Sequence, residues 1–173
     1  NAANLCPSPR AVAEEVTKLT ADIDLDCSFQ NRAKFADLTE KSRAKVAALL
    51  GVSPDEVALV RNTSESNNTV NNGLDLKAGD EIVLWEQNHP TNNVAWQVRA
   101  RRFGYTVKGV ATPAAPKSQD ELVEPFRRAL GPKTRVLALT HASNTSGQRL
   151  PVAEEAATAR ARGIWVHVDG AQS

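Results

Sequence analysis

The sequence predicts an α/β fold: a mostly parallel sheet with helices on both faces, preceded by an N-terminal helical segment. Two observations carry this expectation. After Pro54, short apolar runs of strand length alternate with longer stretches whose apolar residues recur at helical spacing. Such runs need cover on both faces, and alternation with helices is how a parallel sheet obtains it. Before that point the periodicity is helical only, so the boundaries are set at 1–52 for the helical segment and 53–173 for part of a larger α/β domain.

In chain order, Pro9 opens a helix whose apolar positions are Val12, Val16 and Leu19. A second helix is expected from Gln30 to Leu50, with Phe35, Leu38, Val46, Leu49 and Leu50 as its stripe and Gly51 as its stop. Strands are expected at Val57–Val60, Glu81–Trp85, Tyr105–Val110, Arg135–Thr140 and Ile164–Val168. Helices are expected between them at Ser64–Leu74, Thr91–Arg102, Gln119–Leu130 and Val152–Arg162.

Composition excludes several classes. With 21 Lys+Arg against 20 Asp+Glu, the net charge of +1 gives no general electrostatic reason to expect nucleic acid or membrane binding. The basic groups at Arg99, Arg101 and Arg102 and at Arg127 and Arg128 lie in helical patterns and read as solvated faces. No apolar run approaches a membrane span. Cys6 and Cys27 have neither disulfide-scaffold density nor zinc spacing, and read as free thiols in a reducing, cytoplasmic setting. The chain begins without Met and stops just past a strand-like run, so both ends are expected to be cut points.

In a parallel α/β sheet ligands gather at the carboxyl ends of the strands. Four polar clusters sit there. Arg61-Asn62-Thr63-Ser64-Glu65 opens a helix, where backbone N–H groups suit a phosphate and small polar side chains suit ordinary capping. Trp85 through Thr91 contains His89, able to stack on a flat ring or to move a proton, ahead of a helix expected to be capped by Thr91. Thr140 through Gly147 offers Asn144 to a ligand oxygen, or simply forms a polar turn. His167-Val168-Asp169-Gly170-Ala171-Gln172 places a carboxylate at the end of an apolar strand, where the sheet has no use for one. It can hold a metal, a ribose or a protonated ring nitrogen. The phosphate loop GxxxxGK[ST] that a nucleotide enzyme needs is absent, as is GxGxxG. The three histidines lack the short spacing of a metal site, so no metal ligand is assigned.

In order and spacing, the clusters resemble the class V aminotransferase and cysteine desulfurase family, closest in flavour to isopenicillin N epimerase-like members. The resemblance rests on Asn62-Thr63-Ser64-Glu65-Ser66-Asn67-Asn68, on His89 through Trp96, on Ser143-Asn144-Thr145-Ser146-Gly147 and on His167 through Ser173. The opening Asn1-Ala2-Ala3 followed by Pro7 adds to it.

The resemblance implies pyridoxal 5′-phosphate (PLP) as cofactor. It implies that Thr63 and Ser64 hold the phosphate, His89 stacks on the ring, Asn144 and Gln172 contact the ring hydroxyl oxygen, and Asp169 binds the ring nitrogen. His89 and Asp169 are the implied catalytic residues. Residues 53–173 become part of a PLP-binding large domain whose Schiff-base lysine and C-terminal part lie beyond the chain. Lys133, the last lysine, stands at the start of a strand and is the wrong residue for that role. The implied activity is desulfuration, other elimination, epimerisation or transamination of an amino acid through an external aldimine, in a homodimer, with this chain inactive by itself. The alternative is a non-enzymatic α/β module that binds a phosphate-bearing ligand.

Overall fold

The computed structural model describes residues 6–173; the Asn1-Ala2-Ala3 part of the resemblance lies outside them. The chain forms two compact units that divide between Val60 and Arg61.

The first unit is helical. Helix α1 spans Arg10–Leu25 behind Pro9, and α2 spans Phe29–Leu50. Ser28 starts α2 by accepting from the Asn31 N–H at 3.2 Å, and Gly51 ends it at φ 69°, a conformation that costs glycine nothing. Asn31 Nδ2 ties the two helices by donating to Asp22 Oδ1 at 3.1 Å and to the Asp26 carbonyl at 2.8 Å. A 3-10 turn, Pro54–Glu56, follows, with Ser53 and Glu56 forming a reciprocal cap. The expected apolar stripes are present, but Val12, Val16, Leu38, Leu49 and Leu50 are exposed. Val57–Val60 does not form the expected strand. Val57 is extended, but an extended, apolar run is only a local signal, and a strand also requires a neighbour to satisfy its backbone.

The second unit is the α/β part. Its strands are β1 (Glu81–Trp85), β2 (Thr106–Val110), β3 (Thr134–Thr140) and β4 (Trp165–Asp169), all parallel, in the order β2-β1-β3-β4. Its helices are α3 (Thr63–Gly73), α4 (Pro90–Phe103), α5 (Asp120–Ala129) and α6 (Val152–Arg160).

Alternation along the strands builds two apolar layers. Val83 and Trp85 of β1 and Leu137 and Leu139 of β3 pack with Leu122 and Phe126 of α5 and Ala159 of α6. Ile82 and Leu84 of β1 and Val136 and Ala138 of β3 face the other way, onto Trp96 of α4 and Tyr105. The chain goes outward from β1 to β2, then crosses back past β1 to β3. The carboxyl ends of β1 and β3 therefore flank the point where strand order reverses, the place where such sheets bind ligands. Among the described residues no helix is long and apolar enough to cross a membrane.

Candidate active site

Each predicted site residue stands at the carboxyl end of the sheet or on the helix that meets it there. Asp169 ends β4 beside Thr140 of β3. Its carboxylate is buried at 4% exposure. Oδ1 accepts from the Ala171 N–H at 3.1 Å and Oδ2 from Asn67 Nδ2 of α3 at 2.9 Å. Both donors are neutral, and among the described residues Asp169 enters no ion pair. Burial pushes the nearby His167 imidazole below the usual range, against the opposing pull of Asp169.

The contact to Asn67 brings the first turns of α3 to the end of β4. Asn62 caps α3, its Oδ1 accepting from the Glu65 N–H at 2.9 Å. The first intrahelical donor is the Ser66 N–H, bonded to the Asn62 carbonyl at 3.1 Å, so the N–H groups of Thr63 and Ser64 precede it at the positive end of the helix. The Glu65 carboxylate turns back to the Arg61 backbone N–H at 2.8 Å and side chain at 3.1 Å. That arginine's side chain, then its backbone N–H, holds the Glu65 carboxyl below its usual range.

His89 follows β1. The structure makes it, rather than Thr91, the cap of α4: Nδ1 accepts from the Thr91 N–H at 3.3 Å and lies 2.8 Å from Thr91 Oγ1. The physical reason is Pro90, which takes the first helical position and so puts the cap at His89, two places before Thr91. Asn144 is exposed on the loop after β3, and Gln172 is exposed after β4. The loop is folded by Ser143, whose Oγ accepts from the Thr145 and Ser146 N–H groups at 3.3 Å each. It is joined to the loop after β1 by Ser146 Oγ donating to Gln87 Oε1 at 2.5 Å. The structure thus unites Asp169 with α3 and the β1 loop with the β3 loop.

Sequence reasoning missed a polar layer between the sheet and helices α3 and α4. Asn67, Asn71 and Asn92 are almost fully buried, and Trp96 Nε1 donates to Asn92 Oδ1 at 3.0 Å. Asn88 Nδ2 reaches the Ala138 carbonyl at 3.0 Å. Trp96 meets His167 edge to face at 6.1 Å. The signal for Asn67 and Asn71 was spacing: with Leu74 they occupy positions i, i+4 and i+7 of one face, and Leu74 packs on the core. Thr140 Oγ1, beside Asp169, is buried without a partner among the described residues. No cluster of metal-ligating side chains exists among the described residues.

Against known proteins, the Aminotransferase class-V family model matches residues 9–173. Isopenicillin N epimerase from Streptomyces clavuligerus is 32% identical over 96% of this chain and 42% of the epimerase. A probable cysteine desulfurase from Pseudomonas aeruginosa is 37% identical over 77% of this chain and 33% of the desulfurase. A structure of the C-DES protein, with glycine covalently linked to its PLP cofactor, superposes with a TM-score of 0.86 at 29% identity, covering 95% of this chain and 44% of that one. The chain thus spans less than half the length of these relatives.

Proposed function

We propose, on the premise that the chain belongs to the aminotransferase class-V family, that it forms the cofactor cradle of a PLP enzyme acting on an amino acid. One observation carries this reading. Asp169 is a buried carboxylate, bonded to two neutral N–H groups and paired with no cation among the described residues. Burial of an unpaired charge costs several kcal/mol, so the site calls for a positive ligand atom. A protonated pyridine nitrogen is such an atom, and it is well separated from the cofactor's phosphate. The residues present fit that polarity: the Thr63 and Ser64 N–H groups suit the phosphate, and Asp169 suits the ring.

In this reading the chain's own groups bind and orient. Thr63 and Ser64 hold the phosphate, His89 covers one face of the ring, and Asn144 and Gln172 contact the ring hydroxyl oxygen. Asp169 keeps the ring-nitrogen proton in place. PLP, when bound, supplies an electron sink for charge developing at the substrate α-carbon, and a protonated ring is the better sink. Substrate chemistry is proposed at the level of an amino acid undergoing desulfuration, other elimination, epimerisation or transamination, since one fold serves all of them. A homodimer and a covalent lysine outside residues 1–173 belong to the same proposal.

The test is α-proton exchange of bound amino acids in deuterium oxide, using the complete protein. Wild type exchanges; Asp169→Asn, with fold intact by circular dichroism, exchanges slower by several orders of magnitude. Exchange at the wild-type rate in Asp169→Asn would remove Asp169 from the ring. Activity lost in that variant and restored by magnesium would instead make Asp169 a metal ligand.

A further inference from the structure

We propose that Asn67 is a positioning residue for the cofactor ring: it fixes the Asp169 carboxylate and keeps its negative charge, and it locks the helix that holds the phosphate to the strand that holds the ring. The inference rests on the proposed role of Asp169 and goes beyond it by naming the residue through which that role is set.

Three observations support it. First, the bond from Asn67 Nδ2 to Asp169 Oδ2 is short at 2.9 Å, and both side chains are buried, at 2% and 4% exposure. The direction of this bond is fixed by chemistry, because an ionised carboxylate only accepts and the amide must present its N–H₂ group. Second, the other oxygen is already taken by the Ala171 N–H at 3.1 Å. Both donors stabilise the charge without neutralising it. A proton shared between carboxylate and ring nitrogen then stays on the ring. Without the Asn67 donor the carboxylate is free to turn away from the ring nitrogen, and the ring proton loses the oxygen that holds it.

Third, Asn67 lies one helical turn after Thr63 and Ser64. At 1.5 Å of rise per residue, the donors proposed for phosphate sit only about 4.5–6 Å along the axis from the residue that grips Asp169. Residues 102 apart in sequence are joined by this bond. This bond therefore ties the two cofactor anchors to each other directly. An apolar residue facing the sheet would serve packing better than a buried amide, so packing gives no reason for asparagine here.

The experiment is ¹⁵N NMR of ring-labelled PLP bound to the complete protein, in wild type, Asn67→Leu, Asn67→Ala and Asp169→Asn. Far-UV circular dichroism monitors the fold, and the smaller alanine serves if leucine disturbs it. The wild-type resonance is expected at the protonated-ring position. In both Asn67 variants it should move toward the neutral-ring position, and the cofactor dissociation constant should rise about tenfold or more, the size of a hydrogen bond to a charged group. An unmoved resonance in both Asn67 variants, with Asp169→Asn shifted, would overturn the inference and leave Asn67 a packing residue. An unmoved resonance in Asp169→Asn as well would overturn the reading of Asp169, and the inference with it.

Discussion

Replacing Glu155 by glutamine should flatten the pH dependence of stability and make the protein more stable above neutrality. Glu155 sits in the first turn of α6 with no solvent exposure, and neither carboxylate oxygen has a hydrogen-bond partner among the described residues. Burial pushes its carboxyl from 4.5 up to about 8; Arg127 on α5 opposes this and Glu154 adds to it. Arg127 gives little relief, because its Nη2 is engaged by Glu154 Oε1 at 2.6 Å. The folded state therefore keeps the Glu155 proton over a range where the unfolded chain has released it. Stability is greatest below the unfolded value of 4.5 and falls as pH rises, until the folded group also ionises near 8. The slope is about 1.4 kcal/mol per pH unit, so at pH 7 roughly 3 kcal/mol has been lost. Glutamine has the same shape and no proton to lose. Urea unfolding of wild type and Glu155→Gln between pH 5 and 8 reads the difference. Unfolding free energies that differ by less than about 1 kcal/mol near pH 5 and by roughly 3 kcal/mol near pH 7 are expected. Parallel pH profiles in the two proteins would refute the reasoning.

Three further outcomes follow from the geometry. His89→Ala removes both the α4 cap and the proposed ring cover, whereas His89→Asn restores a capping side chain. Thermal melting should recover in His89→Asn while PLP affinity remains lowered; recovery of both would leave His89 a cap alone. Asn88→Leu strips a buried donor from the Ala138 carbonyl and should cost about 1–3 kcal/mol in urea unfolding. Asn62→Ala should cost about 1 kcal/mol through loss of the α3 cap, and should also weaken PLP binding, since the same helix end is proposed to carry the phosphate; unchanged affinity would move the phosphate elsewhere.

The parallel sheet was legible because β1, β3 and their neighbours are short apolar runs separated by helical periods, and period alone determines which faces are buried. Val57–Val60 carries the same local pattern and forms no strand, because pairing depends on a neighbour that local sequence does not specify. The position of Asp169 at a strand end was likewise readable, since strand, residue and turn are contiguous. Its bond to Asn67 was not, because spacing places Asn67 on the inward face of its helix but a contact across 102 residues has no local signature. Glu155 is a similar case. Glu154 and Glu155 are adjacent acids, one bonded to Arg127 and Gln119 and one fully buried. Counting three residues on from Val152 and four back from Ala159 puts Glu155 on the inward stripe of α6.

The claim that Asp169 marks a ring-nitrogen site is tested most directly by comparing PLP with its 1-deaza analogue, in which carbon replaces the ring nitrogen. Both bind the phosphate site alike, and only one can carry the positive charge that a buried carboxylate requires. Equilibrium dialysis of the complete protein should show PLP preferred by about 100-fold or more, from the 3–5 kcal/mol lost when a buried charge is left without its partner. In Asp169→Asn that preference should collapse to a few-fold. Equal affinity of wild type for the two compounds would contradict the account.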